Sequence, residues 1–200
     1  MRKNMYVLFT FMLVLFLAAC GGNQESNSEK NNGQKQNEQN EKNVEQTKQQ
    51  KAEEKVIDLL NDKGKKVGTA ELEPSTDGVI VNLEASDLPP GTHGFHFHET
   101  GKCEAPSFES AGGHFNPSQK EHGLENKKGT HAGDLPNIVV DKKGYVEAVF
   151  TAKGVTLTKD KENSLLKEEG TALVIHEKAD DGKSQPSGNA GDRLVCGEIR

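Results

Sequence analysis

One hexapeptide, Gly-Phe-His-Phe-His-Glu at residues 94–99, constrains the fold of this chain more than any other stretch. In a β-strand, successive side chains point to opposite faces. His96 and His98 therefore share one face, and Phe95 and Phe97 share the other, which we expect to face the core. Two adjacent imidazoles are natural ligands for copper or zinc. The alternative is the polar outer face of an ordinary amphipathic strand.

Residues 55–200 contain eight short segments with the composition and alternation of β-strands. Turn residues separate them, with tight turns expected at residues 61–64 and 142–144. No convincing helical periodicity occurs, although residues 161–167 show a weak one. We predict a single all-β domain, an antiparallel sandwich or barrel of seven or eight strands. The expected strands are 56–60, 67–73, 79–85, 93–99, 138–141, 145–151, 172–177 and 193–199.

The first twenty residues have the layout of an export signal. Arg2 and Lys3 precede an apolar run, and small residues lead to Cys20. The run is shorter than the ~20 apolar residues that a membrane-spanning helix needs. Its end resembles the cleavage box of bacterial lipoproteins, in which the cysteine is lipidated and becomes the mature N-terminus. A plain signal peptide, or an uncleaved anchor, is the alternative.

Residues 21–54 consist almost entirely of Asn, Gln, Glu, Lys, Gly and Ser. Such a segment cannot bury enough apolar surface to offset the entropy of ordering it. We predict a disordered tether that holds the folded domain away from a lipid surface. A coiled-coil helix is the alternative, but no apolar heptad repeat is present to seal one.

Two segments, residues 100–133 and 178–192, are long, rich in glycine and poor in apolar residues. Long loops in a compact domain usually carry function or are held by something. Cys103 lies in the first loop and Cys196 in the last expected strand. With Cys20 assigned to lipid, one pair of cysteines remains, and export favours a disulfide between them. Two free thiols are the alternative.

All seven histidines lie between positions 93 and 176. The first long loop and the residue after it offer four candidate ligands, enough for a closed tetrahedral zinc site. Binding would organise a segment that has no core of its own. Histidines exposed to solvent are the alternative. The four candidates are His114, His122, His131 and Asp134.

Six motifs, in order along residues 56–200, resemble those of the copper/zinc superoxide dismutases. The resemblance implies a flattened, eight-stranded, antiparallel Greek-key barrel whose two long loops are functional. It also implies the disproportionation of superoxide to oxygen and hydrogen peroxide. The motifs are Gly-Phe-His-Phe-His-Glu (94–99), Gly-His-Phe-Asn-Pro (113–117), Glu-His-Gly (121–123), His-Ala-Gly-Asp-Leu (131–135), His-Glu-Lys-Ala-Asp-Asp (176–181) and Gly-Asn-Ala-Gly-Asp-Arg-Leu-Val-Cys-Gly (188–197).

The resemblance further implies two adjacent metal sites. The residues that match the family's copper ligands are His96, His98, His114 and His176. Those that match its zinc ligands are His114, His122, His131 and Asp134. His114 would thus bridge the two metals, and its ring nitrogen would take up and return a proton during turnover.

Three more residues match family positions outside the ligand set. Asp180 matches a carboxylate that hydrogen-bonds one copper ligand and one zinc ligand, here His96 and His122. Arg193 matches an arginine that faces the copper and guides the anion, since a guanidinium stays charged at any working pH. His93 matches a structural histidine. Without the resemblance, Asp180 would be a solvated turn carboxylate and Arg193 a surface residue.

Two functions are compatible with these features. The first is a lipid-anchored superoxide dismutase on the extracytoplasmic face of the cell membrane. The second is a non-enzymatic paralogue with structural zinc and a copper-handling role, but the presence of all four copper histidines favours the enzyme. Nucleic-acid binding is disfavoured by a net charge of −6 and by the lack of a basic cluster with aromatic residues.

Loop lengths differ from those of the well-known eukaryotic members of the family. The segment between Cys103 and His114 is longer, and the one from Asp180 to Arg193 is shorter. In the family these loops shape the entrance to the site and contribute to dimer contacts. We expect a monomer or a weak homodimer.

Overall fold

A computed structural model describes residues 53–200. The predicted signal, with Cys20, and all but the last two residues of the predicted tether lie outside the described residues. The described part contains nine β-strands and one turn of 3-10 helix (Glu109–Ala111). The strands are β1 (Lys55–Asn61), β2 (Lys66–Ser75), β3 (Gly78–Ala85), β4 (Gly91–His93), β5 (Phe95–His98), β6 (Ile138–Val140), β7 (Val146–Ala152), β8 (Thr171–His176) and β9 (Arg193–Ile199).

The strands form one curled antiparallel sheet in the order β5-β8-β9-β1-β2-β3-β7, with β4 paired to β6. Strands β4 and β5 are halves of one strand, interrupted only at Gly94, whose N–H donates to the carbonyl of Lys178 at 2.7 Å. Counted together they give eight strands, and the order fits a Greek-key barrel. The all-β, eight-stranded prediction is confirmed.

Alternating side chains fill the interior of this barrel. In β3, Val79, Val81 and Leu83 are buried, whereas the residues between them are partly exposed. Their partners on β2 and β7 alternate in register, so that Leu72 and Phe150 face the same core. Burying a side chain of this size stabilises the fold by about 1.5–3 kcal/mol. The alternation of buried and partly exposed residues is the pattern from which the strands were predicted.

The segment between β7 and β8 contains no helix, so the weak helical periodicity at residues 161–167 does not correspond to one. The chain instead makes turns, and the N–H of Leu165 donates to the carbonyl of Thr156 at 2.9 Å. Leu165 and Leu166 are buried in the main core together with Leu157. Their apolar spacing reflects this insertion into the barrel and not a helical face.

A second, smaller apolar cluster fixes the segment that follows β5. Phe108 and Ala111 pack there against Val174 of β8, beside a disulfide between Cys103 and Cys196. The Cα atoms of the two cysteines are 5.6 Å apart, which suits a disulfide. The predicted disulfide is therefore confirmed. In residues 53–200 no helix has the length and apolar character needed to cross a membrane.

Candidate metal centre

Two neighbouring strands supply three of the buried histidines. His96 and His98 of β5 lie opposite Val174 and Ala172 of β8, and His176 ends β8. Phe95 and Phe97 point into the main core, as the alternation predicts. All four residues of β5 are buried, because the long loops cover the histidine face as well.

A closed ring of main-chain hydrogen bonds brings the first long loop to β5. The N–H groups of Phe97, Phe115 and Gly133 donate to the carbonyls of Gly133, Phe97 and Phe115, respectively, at 2.8–2.9 Å. A Cβ atom at Gly133 would overlap the carbonyl oxygen of Phe97, so only glycine allows this approach. The ring places His114 and Asp134, each adjacent to one of its members, beside the strand.

The structure gathers the predicted ligands into two buried groups that share His114. Within each group the candidate ligand atoms all lie within 4.8 Å of one another. The first group is His96, His98, His114 and His176. The second is His114, His122, His131 and Asp134.

In the second group, three imidazoles converge on one carboxylate oxygen. The Nδ1 atoms of His114, His122 and His131 lie 3.0, 3.1 and 3.2 Å from Oδ1 of Asp134. The other oxygen, Oδ2, accepts hydrogen bonds from the N–H of Gly123 and other donors, which fixes the carboxylate. Three nitrogens and one oxygen at a single point form a donor set that suits tetrahedral zinc.

The first group contains two buried atoms without a partner. Nδ1 of His96 and Nε2 of His114 have no hydrogen bond among the described residues. Buried polar atoms are nearly always satisfied, so unpaired ones call for an explanation. Beside them, Nε2 of His98 lies 3.2 Å from Nε2 of His176. Four imidazole nitrogens therefore face one another, and a set of this kind suits copper.

In His98 and His176, the second ring nitrogen, Nδ1, interacts with a main-chain carbonyl oxygen. Nδ1 of His98 donates to the carbonyl of Gly112 at 2.9 Å, and Nδ1 of His176 lies 3.3 Å from the carbonyl of Gly191. Such bonds leave the lone pair on the nitrogen that faces the other rings.

Asp180 connects the two groups. One of its oxygens lies 2.7 Å from Nε2 of His96, and the other lies 3.0 Å from Nε2 of His122. One carboxylate thus orients a ring in each group, which is the arrangement that the resemblance implies for this residue.

Burial keeps three of these rings neutral. It lowers the pKa of His114 to about 4 and that of His176 to about 3, and it lowers the pKa of His98 well below its usual value. Their lone pairs are therefore available at neutral pH. Burial would also lower the pKa of His122, but hydrogen bonds and charges from Asp134 and Asp180 outweigh it and raise this pKa to about 9.

Arg193 is half-buried at the edge of the first group. Its Nη1 and Nη2 atoms donate to the carbonyls of Phe108 and Gly112, each at 2.6 Å. Arg193 also lines an open cavity of about 770 Å³. Burial lowers the pKa of the guanidinium from a very high value, so the group stays charged at neutral pH.

His93 belongs to neither group. Its ring nitrogens each lie 2.8 Å from a carbonyl oxygen, one of His176 and one of Pro89. Sequence reasoning missed three residues that position the site. The carbonyl of Gly112 accepts a hydrogen bond from the ring of His98, and the side chains of Asn137 and Gln185 bind the main chains of Asp180 and His122. Hydrogen bonds to main-chain atoms leave no distinctive pattern in a sequence.

Comparison with known proteins points to the same family that the sequence motifs resemble. Residues 66–199 match the family model described as copper/zinc superoxide dismutase (SODC). The chain is 56% identical over 144 residues to "Superoxide dismutase [Cu-Zn] 1" of Aquifex aeolicus, covering 72% of this chain and 85% of that protein. It is 47% identical over 145 residues to "Superoxide dismutase-like protein YojM" of Bacillus subtilis, covering 72% and 74%.

A solved structure shows the same fold. It is the crystal structure of a double mutant of a SOD-like protein from Bacillus subtilis, in which a tyrosine and a proline are each replaced by histidine. The TM-score is 0.70 at 48% identity, and the match covers 72% of this chain and 95% of that one.

Proposed function

The chain belongs to the copper/zinc superoxide dismutase family, and on that premise we propose that it disproportionates superoxide at the paired site, outside the cytoplasmic membrane. The observation that carries the proposal is the sharing of His114 between two buried groups of four ligands. A single imidazole that presents one nitrogen to each group is suited to hold two metal ions side by side.

We assign copper to the first group and zinc to the second. The unpaired nitrogens of His96 and His114 favour a metal in the first group, and the convergence on Asp134 favours a cation in the second. When bound, copper supplies one-electron chemistry, and redox-inert zinc adds structure and positive charge.

The chain's own residues account for binding and proton transfer. Arg193 holds a positive charge beside the first group and can receive a small anion. Nε2 of His114, buried and without a hydrogen bond to the described residues, is the atom that can take up a proton and deliver it to the reduced product. Asp180 keeps the rings of His96 and His122 in place meanwhile.

A non-enzymatic role is the competing proposal. One relative is named only as superoxide dismutase-like, so the fold alone does not specify activity. In this chain, however, all four histidines of the first group are present and lie together. A protein without redox function would not need the complete set.

We propose that Cys20 carries lipid and that residues 21–54 tether the domain at the extracytoplasmic face of the cell membrane. The sequence before Cys20 supports the anchor, and the polar composition of the following 34 residues supports the tether. A flexible chain of this length has a root-mean-square reach of roughly 30–35 Å. Superoxide formed outside the cell would be removed there.

We propose a monomer or a weak homodimer. Val56 and Val149 lie on the outer face of the sheet, but Glu71 and Asn82 lie between them in register. A stable dimer would require a continuous apolar patch. The strongly exposed large apolar side chains form no such patch on this face. Within residues 53–200 they are Val56, Leu124, Val139 and Val149.

Metal analysis paired with a superoxide-decay assay tests the proposal. The full chain, loaded with zinc alone and then with zinc and copper, should remove superoxide only in the second state. Copper binding without any gain in activity would favour the copper-handling role.

A further inference from the structure

His122 lies in a part of the chain that has almost no core of its own. Between residues 118 and 130, only His122 and Gly123 are buried. Its ring is held by Asp134 and Asp180, but packing of neighbouring side chains does not hold its main chain. Nearby, Asn126 donates to the carbonyl of His122 and the N–H of Gly123 donates to Asp134, but neither contact engages the N–H of His122.

Gln185, on the second long loop, makes that connection through both ends of its side-chain amide. Its Oε1 accepts the N–H of His122 at 2.8 Å, and its Nε2 donates to the carbonyl of His122 at 3.0 Å. Gln185 itself is exposed, so its side chain is not there to fill the core. These two hydrogen bonds resemble those between neighbouring β-strands. Together they fix both the position and the orientation of the main chain of His122.

Asn137 makes the same kind of pair with Asp180. Its Oδ1 accepts the N–H of Asp180 at 2.9 Å, and its Nδ2 donates to the carbonyl of Asp180 at 2.9 Å. Asp180 in turn contacts the ring of His122. The main chain of Asp180 is thus held by Asn137. That of His122 is held at both its N–H and its carbonyl by Gln185, and Asn126 donates to the same carbonyl at 2.9 Å. The side chains of His122 and Asp180 hold each other.

We propose that Gln185 and Asn137 are positioning residues that keep zinc in its site, an inference that rests on the zinc assignment above. They act through His122 and Asp180, respectively. Without either amide, the main chain it holds can shift, and the two side chains lose their alignment. Partners of this kind typically change metal affinity 10- to 100-fold when they are mutated.

The test is the rate at which zinc leaves the metal-loaded full chain for a chromogenic chelator. We expect Gln185→Ala to release zinc about 10- to 100-fold faster than the wild type. Cobalt(II) placed in the zinc site should show altered ligand-field bands in this variant, because the bands report ligand geometry. Gln185→Glu keeps the acceptor for the N–H of His122, so its release rate should lie between those of the wild type and the alanine variant.

Asn163→Ala is the matched control. Its Nδ2 donates to the carbonyl of Gly154 at 3.1 Å, an amide-to-main-chain bond on a loop that supplies no metal ligand. It should release zinc at the wild-type rate. If Asn163→Ala accelerates release as much as Gln185→Ala does, general loosening explains the effect and the inference is wrong.

Asn137→Ala should also accelerate zinc release. In the double variant the acceleration should be smaller than the product of the two single accelerations, because both amides hold one His122–Asp180 pair. Wild-type release rates and cobalt spectra in both Gln185 variants would overturn the inference while leaving the zinc site in place. A wild-type chain that holds no stoichiometric zinc would instead overturn the proposed function.

Discussion

Arg193 and His98 donate hydrogen bonds to the same atom, the carbonyl oxygen of Gly112, at 2.6 and 2.9 Å. The guanidinium that we propose receives the anion and a ring of the proposed copper site are therefore positioned by one main-chain group. The disulfide at Cys103 anchors the segment that carries Gly112 to β9. Binding and redox geometry thus depend on the same short loop.

Replacing Arg193 tests how an acidic protein attracts an anionic substrate. The net charge of −6 disfavours approach at long range, and salt screens it beyond ~8–10 Å. A local positive charge must therefore guide superoxide, and such focusing is worth roughly tenfold or more in rate. Arg193→Ala should lower the second-order rate by about that factor with copper still bound, and it should flatten the fall of rate with ionic strength.

Lys183→Ala is the control for that experiment, because it removes one positive charge from a different cavity, beside His122. It should change the rate much less than Arg193→Ala. An unchanged rate and salt dependence in the fully metallated Arg193→Ala protein would show that another group guides the anion.

The alternation in the central hexapeptide predicted the two faces of β5 correctly, because a strand's period of two is a local property. It did not predict that the face of His96 and His98 would also be buried. That burial comes from the loops that fold over it, and their positions depend on contacts such as that between Gly133 and Phe97. Leu165 and Leu166 gave a misleading helical pattern, since core insertion from an irregular loop has no period.

The copper ligands could be grouped from the sequence only through the family resemblance, whereas the zinc ligands were already indicated by their clustering in one loop. Histidines from β5, β8 and the first long loop are far apart along the chain, and no spacing rule predicts which of them meet. Main-chain partners such as Gly112 could not be predicted at all, since every residue has a carbonyl group.

Removal of the disulfide should affect both stability and activity. It closes a loop of about 94 residues, worth up to ~4–5 kcal/mol in the chain-entropy model. Replacing Cys103 and Cys196 together by serine should lower the free energy of unfolding in urea by no more than that amount. It should also reduce the rate, because Gly112 and Phe108 would no longer hold Arg193 firmly. An unaltered denaturation midpoint and rate would contradict the role assigned to this bond.

Zinc affinity should depend on pH through His122. Its pKa of about 9 in the metal-free protein means that it carries a proton at neutral pH, and zinc must displace that proton from Nδ1. The apparent affinity should therefore rise about tenfold per pH unit from pH 7 to pH 9 and then level off. Competition with a chelator at several pH values measures it.

Asp180→Asn provides the control for the pH experiment. It removes one of the two charges that raise the pKa of His122, so affinity should level off at a lower pH. A zinc affinity that is constant from pH 7 to pH 9 in the wild type would contradict the assignment of the proton to His122.

The anchor can be tested independently of the active site. Cys20→Ser should move the protein from the membrane fraction to the soluble fraction without changing its specific activity, because the proposed tether would separate the anchor from the folded domain. Wild-type protein found wholly in the soluble fraction, with its signal cleaved at another bond, would contradict the lipoprotein assignment.

The most direct test of the paired site is the copper and zinc content of three full-length proteins, measured together with superoxide decay. The wild type should hold one copper and one zinc per chain and be active. His98→Ala should keep zinc and lose activity, because His98 belongs to the first group alone, whereas His114→Ala should impair both metals because both groups share it. Normal turnover by His98→Ala, or undiminished binding of both metals by His114→Ala, would contradict the assignment of paired copper and zinc sites that share His114.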